Sequence, residues 1–275
     1  MSSRNVKGEC KICGKLEKLT FEHVPPKITF NSRAVKTITG EALMKLMGKS
    51  ERLPWEWNDL KGKINQMGRG GYFLCEECNS KTGSWYVPYY SRFIHGFHDV
   101  LMQFKEKEYG AIHIFAKDIQ PLPIFKQIMV MLCDINHGCL GDDSIREFLL
   151  NKESMNFNKD KFRLFAYIYD GKLERMNGIS YMIVAGIGVV AITEISTYPL
   201  GFALYIDLPN NYEPKGVELT SFADFRYEDK CDIEMSIPKL ESNIIFSGDY
   251  RTKKEILDCI DENRIWEEEH KIEIE

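Results

Sequence analysis

Four cysteines in two short motifs are the residues of this sequence best suited to hold a metal ion. Cys10 and Cys13 form one Cys-x-x-Cys pair, and Cys75 and Cys78 form a second. Four thiolates at this spacing complete the tetrahedral shell of a structural Zn²⁺ and leave no open position for catalysis. In a reducing compartment such pairs indicate metal more often than a disulfide. The sequence therefore predicts one structural zinc ion, and the four remaining cysteines are expected to be small buried side chains.

A Glu-His dipeptide lies between the two cysteine pairs, and an asparagine follows the last cysteine. The two segments are Leu19-Thr20-Phe21-Glu22-His23-Val24-Pro25 and Cys75-Glu-Glu-Cys78-Asn79-Ser-Lys81-Thr-Gly83. Together with Cys10-x-x-Cys13-Gly14, this pattern resembles the HNH endonuclease family, a ββα-metal class in which a treble-clef zinc knuckle supports the site. The resemblance covers roughly residues 8–90, about a third of the chain.

The resemblance implies metal-dependent hydrolysis of phosphodiester bonds. His23 is the expected general base, since the unperturbed pKa of histidine suits the deprotonation of water near neutral pH. Glu22 and Asn79 are expected to bind one Mg²⁺ or Mn²⁺ ion, which would stabilise the charge that develops on the phosphate and the leaving oxygen. The catalytic residues implied are therefore His23, Glu22 and Asn79.

Each of these three residues also has a purely structural interpretation. His23 could form only a hydrogen bond within a zinc ribbon, Asn79 could cap a helix, and Glu22 could be a surface acid. Strand geometry raises a further objection, because neighbouring side chains on a regular strand face opposite sides. The site needs the strand to bend or end there, and Pro25-Pro26 makes that reasonable.

A long insertion, residues 27–71, separates the Glu-His dipeptide from the second cysteine pair and departs from compact members of the family. In the family, an asparagine braces the loop between the two strands. It has no clear match here, and Asn58 and Asn65 are the candidates.

Basic and aromatic side chains near the expected centre could contact nucleic acid. The candidates for binding phosphate are Lys27, Lys81 and Arg69. The aromatic residues that could stack on bases, although such residues more often pack in the core, are Trp55, Trp57, Trp85 and Tyr86. His95 and His98 lie three apart on a predicted helix, and a packed or exposed pair is favoured over a metal site.

The pattern of apolar residues predicts an α+β protein in two parts. The resemblance implies that residues 1–115 form the zinc-stabilised ββα-metal (treble-clef HNH) module, with its insertion and a following helix. Residues 116–275 are expected to form a mixed α+β domain with an antiparallel sheet and a regulatory, recruiting or dimerising role. Residues 121–136 predict an apolar helix and residues 162–206 several strands, with Asp170-Gly171 as a hairpin signal.

Charge is distributed unevenly along the chain. Residues 1–92 contain 16 Lys and Arg against 9 Asp and Glu, whereas residues 93–275 contain 20 against 32. A basic first third favours contact with a polyanion, and chance surface charge is the alternative. No run approaches 18 apolar residues, and the first residues contain no hydrophobic signal core. A cytoplasmic location with no membrane partner is therefore expected.

The leading hypothesis from the sequence is a metal-dependent endonuclease acting on DNA. Bacterial proteins that join an HNH module to an unfamiliar domain often serve in anti-phage or mobile-element systems. Antiviral defence, with a homodimer or a partner defence protein, is therefore a family-level expectation. Two alternatives stay open: a non-catalytic, zinc-stabilised nucleic-acid-binding or scaffold protein, and a nuclease acting on RNA, since the chemistry acts on the same phosphate.

Overall fold

The structure, a computed structural model, describes residues 5–47, 52–57, 60–104 and 109–269. Its strands, numbered in chain order, are β1 (Val6–Glu9), β2 (Leu16–His23), β3 (Val35–Thr37), β4 (Lys63–Asn65), β5 (Gly70–Cys75), β6 (Ala111–Ile119), β7 (Phe162–Ile168), β8 (Arg175–Val184), β9 (Gly188–Ser196), β10 (Leu200–Ile206), β11 (Val217–Glu218) and β12 (Cys231–Pro238). Its helices are α1 (Gly40–Met47), α2 (Glu76–Trp85), α3 (Val87–Gln103), α4 (Pro121–Asp134), α5 (Asp143–Leu150) and α6 (Lys253–Glu269). Short 3-10 turns lie at Gly138–Gly141 and Thr220–Asp224.

The described strands assemble into antiparallel sheets of different sizes. One sheet has the order β1-β2-β5, and β5 leads directly into α2. A larger sheet has the order β11-β7-β10-β9-β8, while β3 pairs with β4 and β6 with β12. Every ladder between these strands is antiparallel. The protein is therefore a mixed α+β structure with antiparallel sheets, as the sequence predicts at this coarse level.

Helix α4 lies at the centre of the hydrophobic core. All of its residues are buried, even the polar Lys126, Gln127 and Asp134. A helix that is buried on every side must be surrounded by other elements, and α2, α3, α5 and β9 pack against it. The boundary expected between residues 115 and 116 falls inside β6, and buried side chains from both sides of it share one core. The division into two domains stays a prediction.

Helix α4 lies where the apolar pattern over residues 121–136 predicts a helix. Pro88 separates α2 from α3 and occupies the first turn of α3, where a missing N–H removes no helical hydrogen bond. None of the helices in the described ranges combines the length and apolar character of a membrane span.

One predicted pairing in the larger sheet is wrong. The Asp170-Gly171 turn does not join β7 and β8 in a hairpin, because β10 and β11 occupy the two edges of β7. β8 instead pairs with β9 at the far edge of the sheet, through a turn in which Gly186 has a φ of +75°. A turn signal predicts a reversal of the chain, but it does not identify the strand that pairs.

Candidate metal centre and adjacent polar site

The two Cys-x-x-Cys motifs meet where the first sheet joins α2. Cys10 and Cys13 lie in the turn between β1 and β2, Cys75 is the last residue of β5, and Cys78 lies in the first turn of α2. Gly14 completes the first turn with a φ of +73°, a conformation that glycine adopts without steric cost. Two loops that are distant in the sequence thus present their thiols to one point.

The four sulfur atoms are arranged as ligands of a single ion. They all lie within 4.8 Å of one another, and the Sγ atoms of Cys13 and Cys75 are 3.8 Å apart. Sulfurs placed tetrahedrally at a Zn–S distance of about 2.3 Å would be separated by about 3.8 Å. The cluster could therefore hold a structural metal such as zinc. Among the described residues it is the one group of histidines, cysteines and acids with such geometry.

Crowding of the thiols favours an ionised sulfur. A hydrogen bond with Cys78 lowers the pKa of Cys10 to about 4, against the opposing effect of burial. The same contact raises the pKa of Cys78, and burial raises it further. One thiolate is thus stabilised by a neighbouring thiol, and a bound cation would displace the remaining protons.

Glu22 on β2 and Asn79 on α2 lie side by side next to this cluster. The amide Nδ2 of Asn79 donates a hydrogen bond to Oγ1 of Thr20 at 2.9 Å. Burial raises the pKa of Glu22 to about 7, and the amide of Asn79 opposes this shift. Because Asn79 donates through Nδ2, its Oδ1 is left to accept. A carboxylate and an amide oxygen are suitable ligands for a hard divalent cation.

His23, the last residue of β2, is held by a backbone carbonyl. Its Nε2 lies 3.0 Å from the carbonyl oxygen of Met67. A carbonyl oxygen can only accept, so Nε2 carries the proton and Nδ1 is the acceptor of the neutral ring. Burial lowers the pKa of His23; the Met67 carbonyl opposes this shift and the charge of Lys27 adds to it. A neutral imidazole with a basic Nδ1 is therefore favoured near pH 7.

The strand places His23 and Glu22 on opposite faces. Thr20 and Glu22 both meet Asn79, whereas the ring of Phe21 packs edge-on against His23 with centroids 5.0 Å apart. This is the ordinary alternation of a strand, and β2 ends at His23 without turning both side chains to one face. The structure brings Glu22 to Asn79 and leaves His23 across the strand, so a pocket shared by all three stays a prediction.

Asn31, which belongs to none of the sequence motifs, braces the loops around this site. It is 1% exposed. Its Nδ2 donates to the carbonyls of Pro25 and Arg69 at 2.6 and 2.8 Å, and its Oδ1 accepts from the Arg69 N–H at 2.7 Å. One side chain thereby joins the segment after β2 to the segment before β5. It fixes the position of Met67, which precedes β5 and holds His23.

Of the two asparagines considered from the sequence, Asn65 does not have this role. The side chain of Asn65 donates to Oγ1 of Thr37 at an exposed position between β3 and β4. Asn58 lies outside the described residues. The signal that could have found Asn31 is its position eight residues after His23, early in the insertion.

The three cations expected to bind phosphate have different surroundings. Lys81 is exposed and pairs with Glu77 at 2.6 Å. Arg69 is largely buried and pairs with Glu174, and burial lowers its pKa to about 10. Lys27 is exposed and close enough to His23 for its charge to affect the imidazole. Contact with phosphate stays a prediction for all three, and Lys27 has the most favourable position.

Two other groups of residues have packing roles. Tyr86 is fully buried, and its hydroxyl donates to the Leu149 carbonyl at 2.8 Å, so its ring is not available for stacking on a base. His95 and His98 both pack against the ring of Phe30, with centroids 4.8 and 4.6 Å away. These contacts agree with the packed pair that the sequence favours.

The chain was compared with known proteins at three levels. No family model matches it, and neither a curated protein nor a solved structure matches it. The resemblance to HNH endonucleases therefore depends on the motif residues alone.

Proposed function

We propose that the protein is a divalent-metal-dependent endonuclease that hydrolyses phosphodiester bonds of DNA. One observation carries the proposal: His23 donates from Nε2 to the Met67 carbonyl and keeps Nδ1 as a neutral base, one residue from the Glu22–Asn79 pair. The basic first third of the chain supports a polyanionic substrate. The succession of paired strands β2 and β5 and helix α2 beside a four-cysteine cluster agrees with the resemblance.

The opposite placement of His23 and Glu22 suits the reaction. In an in-line displacement the attacking water and the leaving oxygen lie on opposite sides of the phosphorus. With a phosphodiester across the end of β2, Nδ1 of His23 accepts the proton of the attacking water on one side. On the other side, Glu22 and Oδ1 of Asn79 would hold Mg²⁺ or Mn²⁺, which supplies positive charge to the phosphate and the leaving oxygen. Lys27 would add a positive charge near the base.

The cysteine cluster has a structural role in this proposal. Zinc with four thiolate ligands has no open coordination position. It would fix the turn after β1 to the start of α2 and thereby the distance between Glu22 and Asn79. A defence role, and a homodimer or partner defence protein, have only the resemblance as support.

The test is nicking of supercoiled plasmid by the full-length protein with Mg²⁺ or Mn²⁺. We expect His23→Gln to lower the nicking rate by about 10²–10⁴-fold, the usual contribution of a general base. His113→Gln is the matched control, because His113 is exposed and lies on β6, in a different sheet from β2. Its Nε2 lies 2.8 Å from Oε1 of Glu234 on the paired strand β12. Its nicking rate should equal that of the wild type.

The alternatives give different results in the same assay. Cleavage of RNA but not DNA, lost in His23→Gln, would retain the mechanism and change the substrate. Binding of nucleic acid without any cleavage by wild type or variant would favour the non-catalytic scaffold. Equal nicking by wild type and His23→Gln would refute the role of His23.

A further inference from the structure

Asp134, the last residue of α4, is a buried acid without a partner. It is 2% exposed, and neither of its carboxyl oxygens has a hydrogen-bond partner in the part of the chain that the structure describes. Burying an unpaired carboxylate costs several kcal/mol, and even a neutral carboxyl is costly without a hydrogen bond. A group with this cost needs a compensating interaction.

Contacts near the two ends of α4 give its direction relative to α2. Lys126 lies in the first half of α4, and Asp134, its last residue, lies about 12 Å further along the helix axis. Nζ of Lys126 lies 5.9 Å from the ring centroid of Tyr86, which immediately follows α2. The beginning of α4 is therefore next to the end of α2, and the two helices pack against each other.

The opposite end of α4 lies at the cysteine cluster. Just after α4, the N–H of Cys139 donates to the Lys11 carbonyl at 2.9 Å, and the Cys139 thiol donates to the Ile12 carbonyl at 3.5 Å. Both carbonyls belong to the turn between Cys10 and Cys13, which adjoins the first turn of α2. The helices are thus antiparallel, and Asp134 lies alongside the beginning of α2, which bears Cys78 and Asn79.

The electrostatics of Asp134 agree with this position. Burial raises its pKa well above the usual range, and the negative charge of Glu22 raises it further, followed by that of Cys10. The charges of Glu22 and Cys10 act on Asp134 because the three groups lie close together. A hard divalent cation bound between the two carboxyl groups and the Asn79 amide oxygen would replace their protons and give Asp134 the partner that it lacks.

We propose that the carboxylate of Asp134 is a further ligand of the divalent cation assigned to Glu22 and Asn79. The proposal rests on the proposed function and deepens it, because the catalytic centre then takes one ligand from outside the segment that resembles HNH endonucleases. Residues 1–115 alone would lack this ligand, and the buried helix α4 would be part of the active centre.

The test is binding of Mn²⁺ to the full-length, zinc-loaded protein, measured by calorimetry. We expect Asp134→Asn to weaken Mn²⁺ binding by at least the 10–100-fold that loss of a supporting group costs at metal sites. Glu22→Gln should weaken it comparably. Glu147→Gln is the matched control, because Glu147 is an exposed acid on α5, the next helix along the chain. Its Mn²⁺ affinity should equal that of the wild type.

Thermal unfolding with and without Mn²⁺ separates ligation from a role in folding. Mn²⁺ should raise the melting temperature of the wild type, since a ligand that binds only the folded state stabilises it. Asp134→Asn should fold and melt no lower than the wild type without Mn²⁺, and added Mn²⁺ should not raise its melting temperature. Asp134→Ser provides the same comparison if the asparagine variant does not fold.

The outcomes distinguish this proposal from the proposed function. Wild-type Mn²⁺ affinity in both Asp134 variants, with binding lost in Glu22→Gln, would overturn the role of Asp134 and leave the nuclease proposal intact. Wild-type affinity in Glu22→Gln as well, or no Mn²⁺ binding by the wild type, would overturn both.

Discussion

The most informative perturbation near the site is Asn31→Ala. Asn31 forms three hydrogen bonds in a buried position, and they join the end of β2 to the start of β5. Alanine removes all three bonds, and Met67, which holds Nε2 of His23, lies two residues before Arg69. We expect lower stability, because the bonds are lost, and a slower nicking reaction, because the Met67 carbonyl no longer holds the imidazole of His23 in position.

The size of the effect follows from these bonds. At about 1 kcal/mol net for each hydrogen bond, the free energy of unfolding should fall by about 3 kcal/mol. For a chain of this length, about 1 kcal/mol shifts the melting temperature by roughly 2–4 °C. The melting temperature of Asn31→Ala should therefore fall by about 6–12 °C. Asn31→Asp should not restore the melting temperature, since a carboxylate cannot donate to the carbonyls of Pro25 and Arg69.

Thermal unfolding and plasmid nicking should be measured together. Asn65→Ala is the control, because its side chain makes an exposed hydrogen bond with Thr37 and its loss should change stability by less than about 0.5 kcal/mol. If Asn31→Ala melts and nicks like Asn65→Ala, the inference that Asn31 positions the His23 loop is refuted.

Three further results are expected. Metal analysis of the purified protein should find about one zinc ion per chain, and Cys78→Ser should lose this zinc and melt at a lower temperature. Full zinc content in the variant would contradict a four-thiolate shell. Mn²⁺ affinity should rise from about pH 6 to about pH 8, because the cation competes with the proton of Glu22, whose pKa burial raises to about 7, and with that of Asp134, whose pKa burial raises well above its usual range; a constant affinity from about pH 6 to about pH 8 would exclude this competition. Arg175→Met should lower the free energy of unfolding in urea by about 3–5 kcal/mol, because it leaves the fully buried carboxylate of Glu194 without the guanidinium group that lies 2.9 Å away. A decrease below about 1 kcal/mol would show that the buried pair does not stabilise the fold.

Short motifs made part of this protein predictable. Cys10 and Cys13 are close enough in the chain to share one turn, and Cys75 and Cys78 share the junction of a strand and a helix. One tetrahedral zinc ion held by all four thiolates would require the two pairs to meet, whatever the length of the insertion between them. The end of β2 at His23 is predictable for a similar local reason, since Pro25-Pro26 cannot extend a ladder.

Contacts that depend on the position of the backbone were not predictable. The partners of Asn31 are the backbone carbonyl of Pro25, 6 residues away, and the backbone carbonyl and N–H of Arg69, 38 residues away, and nearly every residue has such groups. The partner of Arg69, Glu174, lies in the other half of the chain. The sequence places a positive charge at position 69 but gives no reason for its burial.

From the sequence came the thiols that could hold a metal, the residues of the candidate site and the mixed α+β class, because each depends on side-chain chemistry within a few neighbouring positions. The tertiary structure alone decided that Glu22 meets Asn79 while His23 faces the other side of β2. It also decided that β7 pairs with β10 and that the buried acid of α4 lies beside α2. Those relations depend on how helices and strands pack around one core, and packing brings together residues that no local pattern connects.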